Sequence, residues 1–237
     1  SFAYNAQSQE VSKKDQAGGI IETTHDDGGR QTVRAVTTLA SGFDGAVRRI
    51  ETAYDSLGRT ETVTQYDAAS SGSVVDQVKN VYDGWGNLTN FRQDLDSTVG
   101  GSGYWEVAYT YAKATSGRNT VRRTGVTLPG GAAYGFNYRG GASHDTEASR
   151  VSSVTDAFAT DLADYEYNGV GHVVRTTLNE VEIFSKAYTG AGTTFGRLDR
   201  FNRTTISSWT KDLSTDSDIY KVTLVYDRNS NITVQDD

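Results

Sequence analysis

The sequence predicts an all-β chain built from stacked antiparallel β-hairpins, repeated about every 28 residues, in a long twisted sheet that curls or coils. Three observations predict it. A Tyr-Asp-x-x-Gly step recurs along the chain, alternating side chains precede it, and the composition favours strands over helices. Thr, Val and Tyr are abundant and Leu is scarce, which suits a pleated, half-buried surface.

The clearest repeats are Tyr54-Asp55-Ser56-Leu57-Gly58-Arg59 and Tyr82-Asp83-Gly84-Trp85-Gly86-Asn87. Tyr167-Asn168-Gly169-Val170-Gly171-His172 and Tyr226-Asp227-Arg228-Asn229-Ser230-Asn231 follow the same pattern. His25-Asp26-Asp27-Gly28-Gly29-Arg30 and Leu198-Asp199-Arg200-Phe201-Asn202-Arg203 replace the tyrosine. These six begin at 25, 54, 82, 167, 198 and 226, and the wide gap between 82 and 167 is about three periods. Tyr111 and Tyr138 stand where two degenerate units belong. The chain then reads as one array, 1–237, of eight units anchored near 25, 54, 82, 111, 138, 167, 198 and 226.

Each unit has the chemistry of a hairpin. Ile50, Thr52 and Tyr54 share one strand face, with Glu51, Ala53 and Asp55 on the other, at the period of two that marks a strand. Residues four before the anchor (Ile21, Ile50, Val78, Val107) and two before it (Thr23, Thr52, Asn80, Tyr109) are expected to form ladders of like side chains. Asp suits the first position of a tight turn, because its carboxylate bonds the backbone two residues on. The glycine takes positive φ. Asn202 tolerates that conformation and Ser230 fits it poorly. Extended runs follow the turns at 60–65, 88–92, 173–178, 204–209 and 232–235. A hairpin cannot bury its apolar face alone, so the units stack, giving about 16 or more strands in a twisted sheet. Gly-, Ser- and Asp-rich stretches at 67–77, 94–103, 139–149 and 214–218 read as surface loops.

Composition excludes several classes. The chain has 237 residues, no cysteine, no methionine and one proline. Without cysteine there is no disulfide framework, thiolate metal site or cysteine nucleophile. A net charge of −7 argues against a nucleic-acid-binding domain. No apolar run approaches the roughly 20 residues of a membrane helix, so no membrane insertion is expected. The length permits a sizeable core. A start at Ser1 without methionine is read as a segment of a longer protein.

A repeated Tyr-Asp-x-x-Gly-Arg followed by an extended run resembles the YD repeat of bacterial Rhs proteins, toxin-complex B and C components and teneurin shells. The best matches are 54–66, 81–91 and 224–232, and 196–203 is similar to an Rhs variant of the repeat. The resemblance implies a spiral of hairpins forming a hollow shell, which in toxin-related members encloses a toxic C-terminal segment. Such shells are several times longer than this chain. Many also end in an Asp-Pro-x-Gly core; Pro129 follows Leu128, so that motif is not present. The resemblance thus implies a piece of wall without cargo or protease, extracellular or at a bacterial cell surface.

The anchor set Tyr54, Asp55, Gly58, Arg59, Tyr82, Asp83, Gly86, Tyr167, Gly171, Tyr226 and Asp227 is assigned structural roles. No catalytic residue, cofactor or metal is expected. His25 and His172 occupy repeat positions, and His144-Asp145 lies in a loop. Asp26-Asp27 and Asp216-Ser217-Asp218 have oxygen ligands for calcium but lack a complete calcium-loop pattern. The glycine runs at 100–103, 130–131, 140–141 and 190–192 precede no helical pattern and read as turns. Sequons at Asn87, Asn202 and Asn231 fall on turns. Trp85, Trp105 and Trp209 are the candidate ligand contacts, since exposed aromatics stack on sugars or anchor a protein.

The structural reading therefore expects a wall, stalk or fibre whose partners are flanking repeats or neighbouring copies. A binding reading expects a glycan or cell-surface protein held by exposed aromatics. A cocoon reading expects a toxin cargo. A hydrolase requires a pocket with two convergent carboxylates about 5–10 Å apart.

Overall fold

The structure is a computed structural model. It describes residues 1–101, 103–114, 120–140, 143–169, 171–178, 181–184, 197–210 and 218–236. The glycine run 190–192 and the first two residues of the cluster Asp216-Ser217-Asp218 lie outside these residues, as do Ser102, Gly141 and Val170.

The chain is all β, with 18 strands and one four-residue helix among the described residues. It divides into two compact units, residues 1–109 with 128–130, and 110–127 with 131–237. The first contains β1 (Phe2–Tyr4), β2 (Glu10–Lys14), β3 (Ile20–His25), β4 (Gln31–Thr38), β5 (Arg49–Tyr54), β6 (Thr60–Tyr66), β7 (Val74–Tyr82) and β8 (Leu88–Asp94). β9 (Trp105–Lys113) runs from the first unit into the second. The second continues with β10 (Val121–Thr127), β11 (Ala133–Tyr138), α1 (His144–Glu147), β12 (Val151–Thr155), β13 (Asp161–Tyr167), β14 (Val173–Leu178), β15 (Val181–Phe184), β16 (Ile206–Thr210), β17 (Asp218–Tyr226) and β18 (Ile232–Asp236).

Within each unit every strand pairs antiparallel with the next in sequence. This is the stacked-hairpin meander that the repeat predicts. The strand starting at Val74 shortens the expected 67–77 loop, and α1 forms inside the 139–149 loop.

One regularity governs the hairpins. His25 pairs with Gln31, Tyr54 with Thr60, Tyr82 with Leu88, Tyr167 with Val173 and Tyr226 with Ile232. Leu198 bridges Thr204 at the same offset of six. In the five strand pairs a β-bulge sits immediately before the anchor, leaving one extra residue on the outgoing strand.

The expected ladders are corrected by this register. Thr52 pairs with Val63 and Val63 with Val78, while Asn80 pairs with Phe91 and Phe91 with Val107. A residue two before one anchor thus shares a row with the residue four before the next. The face is conserved from unit to unit, but each hairpin steps along its predecessor by two residues.

The core is smaller than the length permits. Among the described residues the buried hydrophobic side chains are Ala35, Ala40, Val99, Ala114, Ala163, Val174 and Val222. Most strand residues are half-buried by their cross-strand neighbours, which are the unit of sheet stabilisation.

Candidate functional site: a ladder of hairpin tips

The Tyr-Asp-x-x-Gly-Arg residues form one compact object at each hairpin tip. In 55–59, the Asp55 carbonyl accepts from Gly58 N–H at 2.9 Å, and Asp55 N–H donates to the Arg59 carbonyl at 2.9 Å. Gly58 has φ +82°, so the tip is a turn followed by a left-handed residue, the common three-residue hairpin loop. Asp55 Oδ1 accepts the N–H groups of Leu57 and Arg59, each at 2.9 Å, and Oδ2 accepts Arg59 Nε at 2.6 Å. The tips at Asp26, Asp83, Asp199 and Asp227 repeat this bonding, with Asn87 and Asn231 giving their amide nitrogens in place of the guanidinium. At Asn168 the side-chain oxygen accepts His172 N–H at 2.9 Å.

These contacts keep the carboxylates ionised. Hydrogen bonds from Arg30, Asn87 and Asn231 hold Asp26, Asp83 and Asp227 below the ordinary aspartate range. For Asp55 and Asp199, burial pushes upward, and the bonds from Arg59 and Arg203 outweigh it.

The tips are joined to one another. The Arg30 guanidinium lies over the Tyr54 ring at 4.5 Å, Arg59 over Tyr82 at 4.3 Å, and Arg203 over Tyr226 at 4.5 Å. Arg150 lies over Tyr167 at 5.6 Å and Arg122 over Tyr138 at 5.0 Å. Each of these tyrosines also donates its hydroxyl to the carbonyl of the residue following that arginine: Gln31, Thr60, Thr204, Val151 and Arg123, at 2.8–3.2 Å. The anchor tyrosine therefore locks its hairpin to the preceding one, through a cation–π contact and a hydrogen bond.

The turn glycine serves the same junction. A Cβ on Gly58 would stand 2.9 Å from Arg30 Nη1, and one on Gly171 3.0 Å from Arg150 Nη2. Positive φ favours glycine there, and an added Cβ would have to push aside the end of the approaching guanidinium. Ser230, expected to fit poorly, adopts φ +68° and accepts Arg203 Nη1 on its Oγ at 3.1 Å. The arginine that crowds a glycine elsewhere compensates the serine here. At Gly86 there is no such acceptor, and Arg59 Nη1 is buried without a hydrogen-bond partner.

The degenerate unit at Tyr138 keeps the junction with altered parts. Tyr138 pairs with Val151 after a bulge, across the loop that contains α1. Buried Arg122 donates Nε to Ser149 Oγ at 3.0 Å and Nη2 to the Thr146 carbonyl, pinning that loop. Arg150 pairs with Asp145 at 2.9 Å and donates to the Asn168 carbonyl at 3.0 Å. At Tyr111 the Arg123 guanidinium lies 6.0 Å from the ring centre.

Three further tips escaped the sequence reading. Residues 5–9, 15–19 and 156–160 have the same turn, closed by Asn5, Asp15 and Asp156, with Ser8, Gly18 and Ala159 at positive φ. The signal was an Asx residue three before a small one, with the tyrosine kept only at Tyr4 and the glycine only at Gly18.

Trp85 and Trp105 do not converge. Trp85 sits at the tip of 83–87 and is 87% exposed. Trp105 pairs with Gln93 at the far end of β8, so it lies a strand length from Trp85. Trp209, 44% exposed, meets Tyr220 edge-on at 6.2 Å. His25 stands at an anchor position, His172 closes a tip and His144 opens α1. Asp26 caps its turn, and no group of three metal-ligating side chains occurs among the described residues.

The second unit has a polar groove of about 460 Å³ lined by Arg139, Ser152, Asp164, Glu166, Arg175 and Thr177. Asp164 and Glu166 alternate on β13 and so share a face, about 7 Å apart along the strand. Glu166 pairs with Arg175 at 3.1 Å. Burial, then the charge of Asp161, pushes the Asp164 carboxyl above its ordinary range.

No family model matches the sequence, and no curated protein matches it. Among solved structures, the chain is similar to the crystal structure of TcdB2-TccC3 without its hypervariable C-terminal region, at 12% identity and a TM-score of 0.50. A Photorhabdus luminescens Tc holotoxin pore carrying a TccC3 mutation aligns at 12% identity and a TM-score of 0.49. Each alignment covers 98% of this chain and 12% of the other, so the chain spans about an eighth of those polypeptides. The fold of this chain is thus shared with a stretch of the TcdB2-TccC3 structure, the kind of stacked-hairpin sheet that the YD-repeat resemblance implied.

Proposed function

We propose that this chain is a non-catalytic wall segment of an extracellular or cell-surface YD-repeat protein, a single array whose flanking repeats continue the same sheet. The observation that carries the reading is the tip ladder. The conspicuous residues of the repeat, tyrosine, aspartate, glycine and arginine, are engaged in closing a turn and gripping the neighbouring turn. Repetition of that kind builds a surface by nearest-neighbour contacts. Electron microscopy of the intact polypeptide is the test. These residues are expected within a continuous sheet wall, and a freestanding globular domain overturns the reading. The groove at Asp164 and Glu166 supplies the enzymatic control. Glycoside turnover abolished by Asp164→Asn or Glu166→Gln would overturn the non-catalytic assignment.

The cocoon reading is the finer form of the same proposal, and the fold shared with TcdB2-TccC3 favours it. Co-purification of an unfolded C-terminal fragment inside the intact assembly tests it. The adhesion reading rests on Trp85, whose ring at the tip is open to solvent. A glycan-array or pull-down signal lost in Trp85→Ala would support it.

A further inference from the structure

The groove of the second unit is built on one row of the sheet. Ser153 pairs with Asp164 and Asp164 with Thr177, so β12, β13 and β14 form its floor. One step along, Glu166 pairs with Arg175, and their side chains meet at 3.1 Å. The bulge before Tyr138 leaves Ser152 as the extra residue of β12, a position that re-aims a side chain, and Ser152 lines the groove. Arg139 lines it from the end of β11, half-exposed, with its Nε 3.9 Å from Asp145.

Hydrogen-bonding capacity is left over here. The Ser152 hydroxyl, the Asp164 carboxylate and the Thr177 hydroxyl have no hydrogen-bond partner among the described residues. Comparable groups on other strands are spent. Ser153 Oγ accepts Asn137 Nδ2 at 3.0 Å, Thr64 Oγ1 accepts Gln77 Nε2 at 2.7 Å, and Asp76 Oδ1 accepts Gln93 Nε2 at 2.9 Å. Strand pairing uses backbone groups alone, so the fold does not require the three unspent side chains. Convergent polar groups in a concave surface are the mark of a small-molecule site, and a volume of about 460 Å³ suits one.

We infer that this groove is a binding site for a neutral saccharide of one or two rings, held through Arg139, Ser152, Asp164 and Thr177. The charge of the lining is balanced, with Arg139 and Arg175 against Asp164 and Glu166. An anion would meet the two carboxylates, and a cation the two guanidinium groups. An ionised Asp164 only accepts hydrogen bonds, an arginine only donates, and the two hydroxyls do both. A ligand that satisfies all of them must donate and accept at closely spaced atoms without carrying net charge, as the adjacent hydroxyls of a sugar ring do. Glu166 is engaged by Arg175 and holds that guanidinium at the groove. The site does not use Trp85, and it goes beyond the wall reading, which assigns no ligand to the strand faces.

The test is an amide NMR titration of the full chain with lactose, maltose and chitobiose. Citrate, spermidine and glycylglycine serve as anionic, cationic and zwitterionic comparisons. At least one disaccharide is expected to give saturable shifts at the amides of Ser152, Asp164 and Thr177. Asp164→Ala and Thr177→Val are each expected to weaken that binding about tenfold, the loss of one hydrogen bond to a charged or convergent group. Trp85→Ala is expected to bind as the parent does. The same spectra show whether each variant keeps the sheet, because the amides of β3–β6 report on folding away from the groove. Absence of saturable shifts with all three disaccharides overturns the inference, as does parent-like affinity in both groove variants. Tighter binding of citrate, spermidine or glycylglycine at these amides also overturns it. Loss of binding in Trp85→Ala overturns it too, and moves the ligand to the adhesion reading.

Discussion

The Arg59 guanidinium lies 4.3 Å from the centre of the Tyr82 ring while its Nε donates to Asp55 at 2.6 Å. One side chain thus closes its own turn and covers the anchor of the next hairpin. Truncation in Arg59→Ala should destabilise the first unit by about 1–3 kcal/mol, the range for a charge-assisted hydrogen bond with a part-buried cation–π contact. Arg59→Lys keeps the charge but not the planar fork, and should recover less than half. A double-mutant cycle with Tyr82→Leu, read by urea denaturation, should give a coupling of about 0.5–1 kcal/mol. Additivity of the two substitutions would show that the stacked geometry contributes nothing.

Glycine substitutions separate conformational from merely local roles. Gly58→Ala meets both positive φ and the Arg30 guanidinium, and should cost about 1–3 kcal/mol. Gly84, at the neighbouring tip, has open space around its added Cβ and no positive φ, so Gly84→Ala should stay within about 0.5 kcal/mol of the parent. Denaturant midpoints of the two variants, measured side by side, decide the point. Equal losses would remove the argument for a crowded tip.

The tips were legible in the sequence because their chemistry is local. An Asp carboxylate reaches two backbone N–H groups within its own turn, so Asp55, Asp83 and Asp227 announce their geometry. The tips at 5–9 and 156–160 were missed because the backbone asks for less than the motif. Ser8 and Ala159 hold positive φ without glycine once the Asx side chain fixes the turn. The arginine–tyrosine junctions were not read at all, since the partners stand 23 or 24 residues apart in Arg30–Tyr54, Arg59–Tyr82 and Arg203–Tyr226. That constant spacing was a usable signal. The stagger between hairpins depends on the bulge before each anchor, and the bulge leaves no mark on residue type.

Arg122 offers a test in the degenerate unit. Its removal leaves the Thr146 carbonyl without its donor and frees the loop that contains α1. Arg122→Ala should cost about 1–3 kcal/mol, the penalty for an unsatisfied buried acceptor. Amides of 143–150 should exchange faster, whereas β3–β6 should keep their parent protection. Loss of protection across the whole chain would mean that Arg122 supports more than its own loop.

Acid should loosen the ladder. The tip carboxylates of Asp26, Asp55, Asp83, Asp199 and Asp227 all titrate below their unfolded value of about 3.9. Between the folded and unfolded pKa values the unfolded chain binds more protons, so stability rises with pH there. The stabilisation is complete above the unfolded pKa and is lost as pH falls through the folded values. Asp164 has the opposite sign, because its raised carboxyl is relieved by protonation as pH falls. Lowering the pH from about 5 to about 2 should therefore reduce the denaturant midpoint, and reduce it further in Asp164→Asn. Asp55→Asn isolates the tip contribution, since Asn5 and Asn168 close equivalent turns without a titrating group. That variant should start from a lower midpoint at pH 7, having lost the charged bond to Arg59, and decline less steeply in acid. An unchanged acid slope in Asp55→Asn would show that the tip carboxylates do not govern the acid sensitivity of the fold.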